Sequence, residues 1–248
     1  MKTIVVIPAR YGSSRMGGKV LAKETGKYLV QHTYERALQA RRVSEVLIAT
    51  DHERVLEACR QFGASCVMTD AEHQSGTDRV AEVAAGRDCD IVINLQADEP
   101  EVEPDYIDQI AALLAERPEA KMATLLAPFD TARDIANPNI VKCVTDEKGY
   151  ALYFSRLAIP YDRDRAGIGP LDVYRRHLGI YAYRKEFLLI YTTLPKSRLE
   201  QCEQLEQLRA LDNGFRILTA TVPRAWDGID TLEQYEAFVQ RQKNAEKG

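Results

Sequence analysis

Thr3-Ile4-Val5-Val6-Ile7-Pro8 is a continuous apolar run, and Ala9-Arg10-Tyr11-Gly12-Ser13-Ser14-Arg15-Met16-Gly17-Gly18-Lys19-Val20-Leu21 follows it. The run reads as a strand covered on both faces. The segment after it is basic and glycine-rich: Arg10, Arg15, Lys19 and Lys23 all precede Glu24, the first acidic residue. The whole chain carries a formal charge of −4, so this positive excess is local. Glycine lets backbone N–H groups approach a ligand closely, and Arg and Lys supply bidentate and point-charge contacts to phosphate. A polyphosphate held just past the carboxyl end of a strand is one reading, and a solvated basic loop is the other. Gly17-Gly18-Lys19-Val20 lacks the Ser or Thr that follows Lys in a P-loop, and no G-x-G-x-x-G fingerprint occurs there.

Beyond this segment, strand and helix patterns alternate. Strands are expected at 4–8, 45–50, 65–69 and 90–95, with helices at 30–40, 52–62 and 78–85. Such alternation implies an α/β fold with a doubly wound, mainly parallel sheet, whose ligands bind at the carboxyl ends of strands. The basic loop and Gln96-Ala97-Asp98 both fall there. The second half changes character. Strands at 140–145 and 150–154 flank Asp146-Glu147-Lys148-Gly149, a hairpin signal. A further strand is expected at 176–183. Ser197-Arg198-Leu199-Glu200 has capping-box spacing and opens a helix that Gly214 should end. Thr231-Leu232-Glu233-Gln234 opens the last helix, residues 241–248 should fray, and 161–172 reads as a mobile loop over a cleft. No repeat or low-complexity linker marks a boundary, so one domain, 1–248, is expected, with a sub-domain insertion at roughly 130–185.

Composition narrows the function. The 248 residues are 45% hydrophobic, enough for a globular core. The acidic balance argues against general nucleic-acid binding, which needs a basic face. No apolar run is long enough to span a bilayer, and the N-terminus lacks a signal-peptide pattern. The five cysteines form no CxxC pair and read as reduced, mostly buried thiols of a cytoplasmic protein.

Four polar groups carry candidate chemistry. Asp98 follows a buried strand, where a carboxylate can hold a hard cation together with substrate phosphates, or simply form a turn or cap. Asp230 precedes a helix and suits its N-terminal dipole; it is a metal ligand only if the fold brings it beside Asp98. His73-Gln74-Ser75-Gly76-Thr77-Asp78-Arg79 can read the edge of a base, or cap a helix. His177 and Tyr181, four apart on a strand pattern, share a face. With the arginines of Asp162-Arg163-Asp164-Arg165 they can grip a polyhydroxy acid; a lone His on such a strand also serves structurally.

In order along the chain stand Pro8-Ala9-Arg10, Ser14-Arg15, Gly18-Lys19, Ala49-Thr50-Asp51, the 73–79 segment, Gln96-x-Asp98-Glu99-Pro100, Tyr150-Ala151-Leu152-Tyr153-Phe154-Ser155-Arg156, Ile159-Pro160, Asp162-Arg163-Asp164-Arg165, Arg176-His177-Leu178-Gly179-Ile180-Tyr181, Leu205-Glu206-Gln207-Leu208-Arg209 and Gly228-Ile229-Asp230-Thr231. Taken together they resemble the 3-deoxy-manno-octulosonate cytidylyltransferase (CMP-Kdo synthetase) family over nearly the whole chain. The resemblance implies a GT-A-like nucleotidyltransferase fold with a smaller β-rich dimerisation and sugar-binding part. It implies a cytoplasmic homodimer that uses CTP, Kdo and Mg2+ in lipopolysaccharide biosynthesis. By matching position, Arg10, Arg15 and Lys19 meet the triphosphate, while Gln74, Ser75 and Arg79 lie near the cytidine. Asp98 and Asp230 hold the metal and, with Lys19, form the catalytic set. Gln96, Arg163, His177, Tyr181 and Glu206 face the sugar acid.

The chain departs from the family pattern in three places. Pro-Gly-Lys-Pro-Leu becomes Gly17-Gly18-Lys19-Val20-Leu21, Gln-Gly-Asp becomes Gln96-Ala97-Asp98, and Gly-Thr-Gly-Val becomes Trp226-Asp227-Gly228-Ile229. His73-Gln74-Ser75-Gly76 favours Kdo over its 8-amino relative, for which Ala-Ala-Ser-Gly is expected. Transfer to a related sugar acid, or nucleotide-sugar binding without catalysis, are the rival readings.

Overall fold

The computed structural model describes residues 1–12 and 18–245. Arg15 lies outside the described residues. The chain divides into two compact units, Met1–Ala111 with Trp226–Gly248, and Ala112–Ala225. The segment expected as a sub-domain, roughly 130–185, lies inside the second unit, which also takes in residues on either side of it.

The first unit is built on four parallel strands, β1 (Thr3–Pro8), β2 (Glu45–Thr50), β3 (Cys66–Met68) and β4 (Ile91–Leu95), in the order β3-β2-β1-β4. Every residue of β1 and β4 is buried, as a two-sided parallel sheet requires. Asn94 is the polar exception within β4. It is satisfied by donating to Thr77 Oγ1 at 3.2 Å and accepting from Gln96 Nε2 at 2.9 Å.

Helices α1 (Leu29–Ala37), α2 (Glu53–Gln61) and α3 (Gly76–Ala85) connect these strands, and α4 (Pro104–Glu116) follows β4. The last helix, α9 (Leu232–Ala245), belongs to this unit. Its Tyr235, Phe238 and Val239 pack with Leu29 and Ile229 in one buried cluster. Burial of that apolar face carries the chain past Asp230 at the sheet's end. Residues 241–245, expected to fray, continue α9 instead. Arg241 makes a bidentate pair with Glu101, at 2.9 and 2.6 Å, which holds this turn down.

The second unit contains β5 (Met122–Ala127), α5 (Ala132–Ala136), β6 (Lys142–Thr145), β7 (Ala151–Ser155), β8 (Arg175–Arg184), α6 (Lys185–Tyr191), α7 (Arg198–Glu203), α8 (Leu208–Asp212) and β9 (Ile217–Thr221). β5 runs parallel to β9 and antiparallel to β8, while β6 pairs antiparallel with β7 and β8. The expected hairpin forms, with Gly149 N donating to Asp146 O at 3.0 Å.

The helix expected from Ser197 to Gly214 is broken in two. Ser197 and Glu200 do form the capping box, but Gln204 adopts a left-handed conformation, φ 52°, and ends α7. Glu200 also pairs with Arg209 on α8, so the break brings a buried ion pair together.

The 161–172 stretch, expected to be mobile, is pinned. Asp162 bridges to Gly167, and the Tyr174 hydroxyl donates to Pro160 O and accepts from Gly169 N, both at 2.9 Å. All five cysteines are free thiols, and only Cys59 and Cys143 are buried, fewer than composition suggested.

Candidate active site

In the first unit, the site lies at the carboxyl ends of the parallel strands. β1 ends at Pro8 and delivers Arg10; β4 ends at Leu95 and delivers Gln96, Asp98 and Glu99. The described part of the basic loop closes through Gly18 N, which donates to Tyr11 O at 3.0 Å. Gly18 has φ 71°, a conformation that glycine adopts at little cost, and it starts the 3-10 turn Lys19–Leu21.

That turn buries Lys19. Its ammonium lies 2.7 Å from Asp98 Oδ2 and 3.4 Å from Asp230 Oδ1, and donates to Ile229 O at 2.6 Å. Ile229 N in turn donates to Asp98 O at 2.9 Å. The two aspartates, 132 positions apart by number, thus meet around one cation. Asp98 keeps 26% of its side chain exposed and Asp230 59%, so both remain open to a ligand while Lys19, at 9%, does not. The substituted Ala97 is buried, and its carbonyl accepts from Thr33 Oγ1 at 3.0 Å.

Four of the residues expected at the nucleotide, Arg10, Gln74, Ser75 and Arg79, also belong to this unit. Arg10 Nη2 donates to the His73 carbonyl, joining the first strand's end to the 73–79 segment. Ser75 is the N-cap of α3: its hydroxyl accepts from Asp78 N at 3.1 Å, and Asp78 Oδ2 accepts from Ser75 N at 2.9 Å. Gln74 is exposed, and its amide donates to Glu72 O at 2.8 Å. Arg79 is fully buried, bonded to Thr69 Oγ1, to Asp70 O at 3.2 Å and to Asp51 Oδ2 at 2.9 Å. Burial lowers its pKa, and the Asp51 carboxylate opposes that. Its guanidinium therefore braces the ends of β2 and β3. Asp51, which also accepts from Tyr11 N at 3.4 Å, is the partner that residue-by-residue reading missed.

In the second unit, His177, Tyr181 and Glu206 come together. The His177 and Tyr181 ring centroids are 5.4 Å apart. Four residues of flat strand span roughly 13 Å, so a shared face alone does not explain this distance. The β5–β8 register does: Thr124 faces Tyr181 and Leu125 faces Leu178, so β8 bulges at Gly179 and Ile180. Thr124 Oγ1 secures the bulge, donating to Ile180 O at 2.8 Å and meeting His177 Nε2 at 3.0 Å. Burial lowers the His177 pKa to about 3. Burial raises that of Tyr181, with the charges of Tyr183 and Glu206 adding to it. Tyr191 Oη donates to the Glu206 carbonyl at 2.7 Å. Arg163 is exposed on the 162–167 turn and hydrogen-bonds to none of these three.

A family model described as cytidylyltransferase matches residues 4–217. The chain belongs to the cytidylyltransferase family. Among curated relatives, 3-deoxy-manno-octulosonate cytidylyltransferase of Solibacter usitatus is 48% identical over 95% of this chain and 92% of its own length. The protein of the same name from Geobacter sulfurreducens is 45% identical over 98% and 100%. A solved CMP:2-keto-3-deoxy-manno-octonic acid synthetase, complexed with CTP, matches with TM-score 0.93 and 42% identity over 99% of this chain and all of that one. The nucleotidyltransferase fold and the resemblance expected from the motifs are thereby shown. A cytidylyltransferase from Leptospira borgpetersenii, at 18% identity and TM-score 0.63, shares the fold.

Proposed function

We propose that this cytidylyltransferase moves CMP from CTP to the 2-hydroxyl of Kdo, releasing pyrophosphate, for lipopolysaccharide biosynthesis. One observation carries the reading: the Lys19 ammonium gathers the Asp98 and Asp230 carboxylates at the end of a parallel sheet. The names of the relatives supply the substrates. In the reaction the sugar's hydroxyl oxygen bonds to the α-phosphorus, and the bond from that phosphorus to the α–β bridging oxygen breaks. The electron pair leaves on pyrophosphate, and the hydroxyl proton passes to a base, for which Asp98 is the candidate.

We further propose Mg2+ as the cofactor, held by Asp98 and Asp230. Two carboxylates share one ammonium, leaving hard oxygen donors with a net negative charge, which suits that ion. Among the described residues no group of three or more His, Cys, Asp and Glu is arranged to hold a metal. The pair would therefore need substrate oxygens and water to complete a shell, as Mg2+ sites commonly do. When bound, the ion would offset the repulsion between the acidic sugar and the triphosphate and stabilise charge on the transferring group. Arg10 is assigned to the triphosphate and the departing pyrophosphate, and the buried Lys19 ammonium offsets part of the carboxylate charge that the triphosphate would otherwise meet. Gln74 and Ser75 are assigned to the cytidine, with Arg79 bracing their segment from below. Gln96, Arg163, His177, Tyr181 and Glu206 are assigned to the sugar acid, where a neutral His177 can exchange hydrogen bonds with hydroxyls. We also place the protein in the cytoplasm, where CTP is made, and among the described residues no helix is long and apolar enough to cross a membrane.

The test is pyrophosphate release by the purified chain with CTP, Mg2+ and a panel of sugar acids. Kdo is expected to give the highest kcat/KM. Faster turnover of 8-amino-Kdo or a sialic-type acid overturns the sugar assignment, and no release with any of them overturns catalysis. Asp98→Asn is expected to lower kcat by about 100-fold or more.

A further inference from the structure

Glu99 stands in a family motif and Trp226 in a departure from the family pattern, neither with a role assigned, yet they join the two segments that carry the aspartates. The Trp226 indole N–H donates to Glu99 Oε2. The same ring packs against Tyr106 in the first turn of α4, with centroids 5.6 Å apart. Two residues on, the backbone of Gly228 passes so close to Glu99 that an added Cβ would stand 3.0 Å from Oε1 and 3.4 Å from Cδ. The Ile229 N donation to Asp98 O continues the contact, and Asp230 comes next. The 226–230 strap is therefore laid along the 98–99 turn at successive points, with a glycine where the two come closest.

We propose that Glu99 and Trp226 are positioning residues for cytidylyl transfer: their hydrogen bond fixes the strap, and the strap fixes where the Asp230 carboxylate stands relative to Asp98. The inference rests on the cytidylyl-transfer reading above. Its physical basis is the steep dependence of such chemistry on placement, since a displacement of about 1 Å can cost on the order of 100-fold in rate. Asp230 itself is held within this strap: its backbone N–H donates to Gln234 Oε1 at 2.7 Å, and its carboxylate lies 3.4 Å from Lys19.

Trp226→Phe keeps a ring against Tyr106 and removes the donor. It is expected to lower kcat about ten-fold while the KM for CTP changes less than about two-fold. In the absence of turnover it should weaken Mn2+ binding about five-fold, read from the electron paramagnetic resonance signal of the free ion. Glu99→Gln keeps an acceptor oxygen and should retain kcat within about three-fold, whereas Glu99→Ala should match Trp226→Phe. The double variant Trp226→Phe/Glu99→Ala should lose no more than either single one. Unchanged kcat and Mn2+ affinity in Trp226→Phe overturn the inference, even if the wild type is fully active. So does a Glu99→Gln as damaged as Glu99→Ala, because the carboxylate charge would then act on a ligand directly. If the wild type releases no pyrophosphate, the functional reading fails separately. The Mn2+ comparison then decides the inference alone, a five-fold loss supporting it and equal affinity overturning it. Should Trp226→Phe fail to fold, the Glu99→Gln and Glu99→Ala pair decides by the same measurements.

Discussion

Single side chains in this protein change meaning once their partners are known. Lys19 reads as a phosphate ligand in sequence; in the fold it is also the counterion of two carboxylates. Arg79 is expected near the cytidine, and in the fold its guanidinium is a buried brace on Asp51. His177 carries a pH consequence. Its pKa is about 3 when folded, against an ordinary value of 6.5. Between those values the unfolded chain binds more protons at this residue than the folded one. Stability should therefore fall as pH drops from about 6.5 toward 3, with no contribution above 6.5. His177→Phe should remove that part of the acid sensitivity, as measured by denaturant midpoints at pH 7 and pH 5. Ring NMR of the wild type should show His177 still neutral at pH 5; a ring charged there refutes the assignment.

Elements were legible where local pattern and tertiary demand agree. β1, β2 and β4 are continuous apolar runs, and the parallel sheet buries them wherever they are placed. The Asp146–Gly149 hairpin and the capping box at Ser197 are local hydrogen-bond devices, readable at short range, whereas α3 is capped by Ser75, ahead of the start expected at 78. The break between α7 and α8 was not readable, because what rewards a left-handed Gln204 is the pairing of Glu200 with Arg209, nine positions away. Both partners are buried and bonded through two contacts, at 2.9 and 2.6 Å. Glu200→Ala should cost about 3–5 kcal/mol by leaving a buried guanidinium unpaired, whereas Glu200→Leu with Arg209→Met should cost less. Thermal unfolding checks both, and a Glu200→Ala variant within about 1 kcal/mol of wild type would show the pair to be dispensable. The bulge in β8 was hidden for the same reason: its anchor, Thr124, belongs to another strand.

At the scale of the molecule, we propose that the second unit mediates a homodimer. Leu152, Leu157, Tyr161 and Val173 are 61%, 73%, 68% and 52% exposed, large apolar side chains that gain by leaving water. Leu157→Asp with Tyr161→Asp should convert dimer to monomer in sedimentation, and a wild type already monomeric refutes the assignment. The class of fold, the first strand with its cationic turn, and the order of motifs that marks the family were all legible in the amino-acid order alone. Those depend on patterns within a few residues or on residue identity at matched positions. Tertiary structure decided the convergence of Asp98 with Asp230, the bulge that closes His177 on Tyr181, and the Glu99–Trp226 tie. Each joins side chains from separate segments, and local pattern does not encode which distant segment will supply the partner that a buried charge or donor requires.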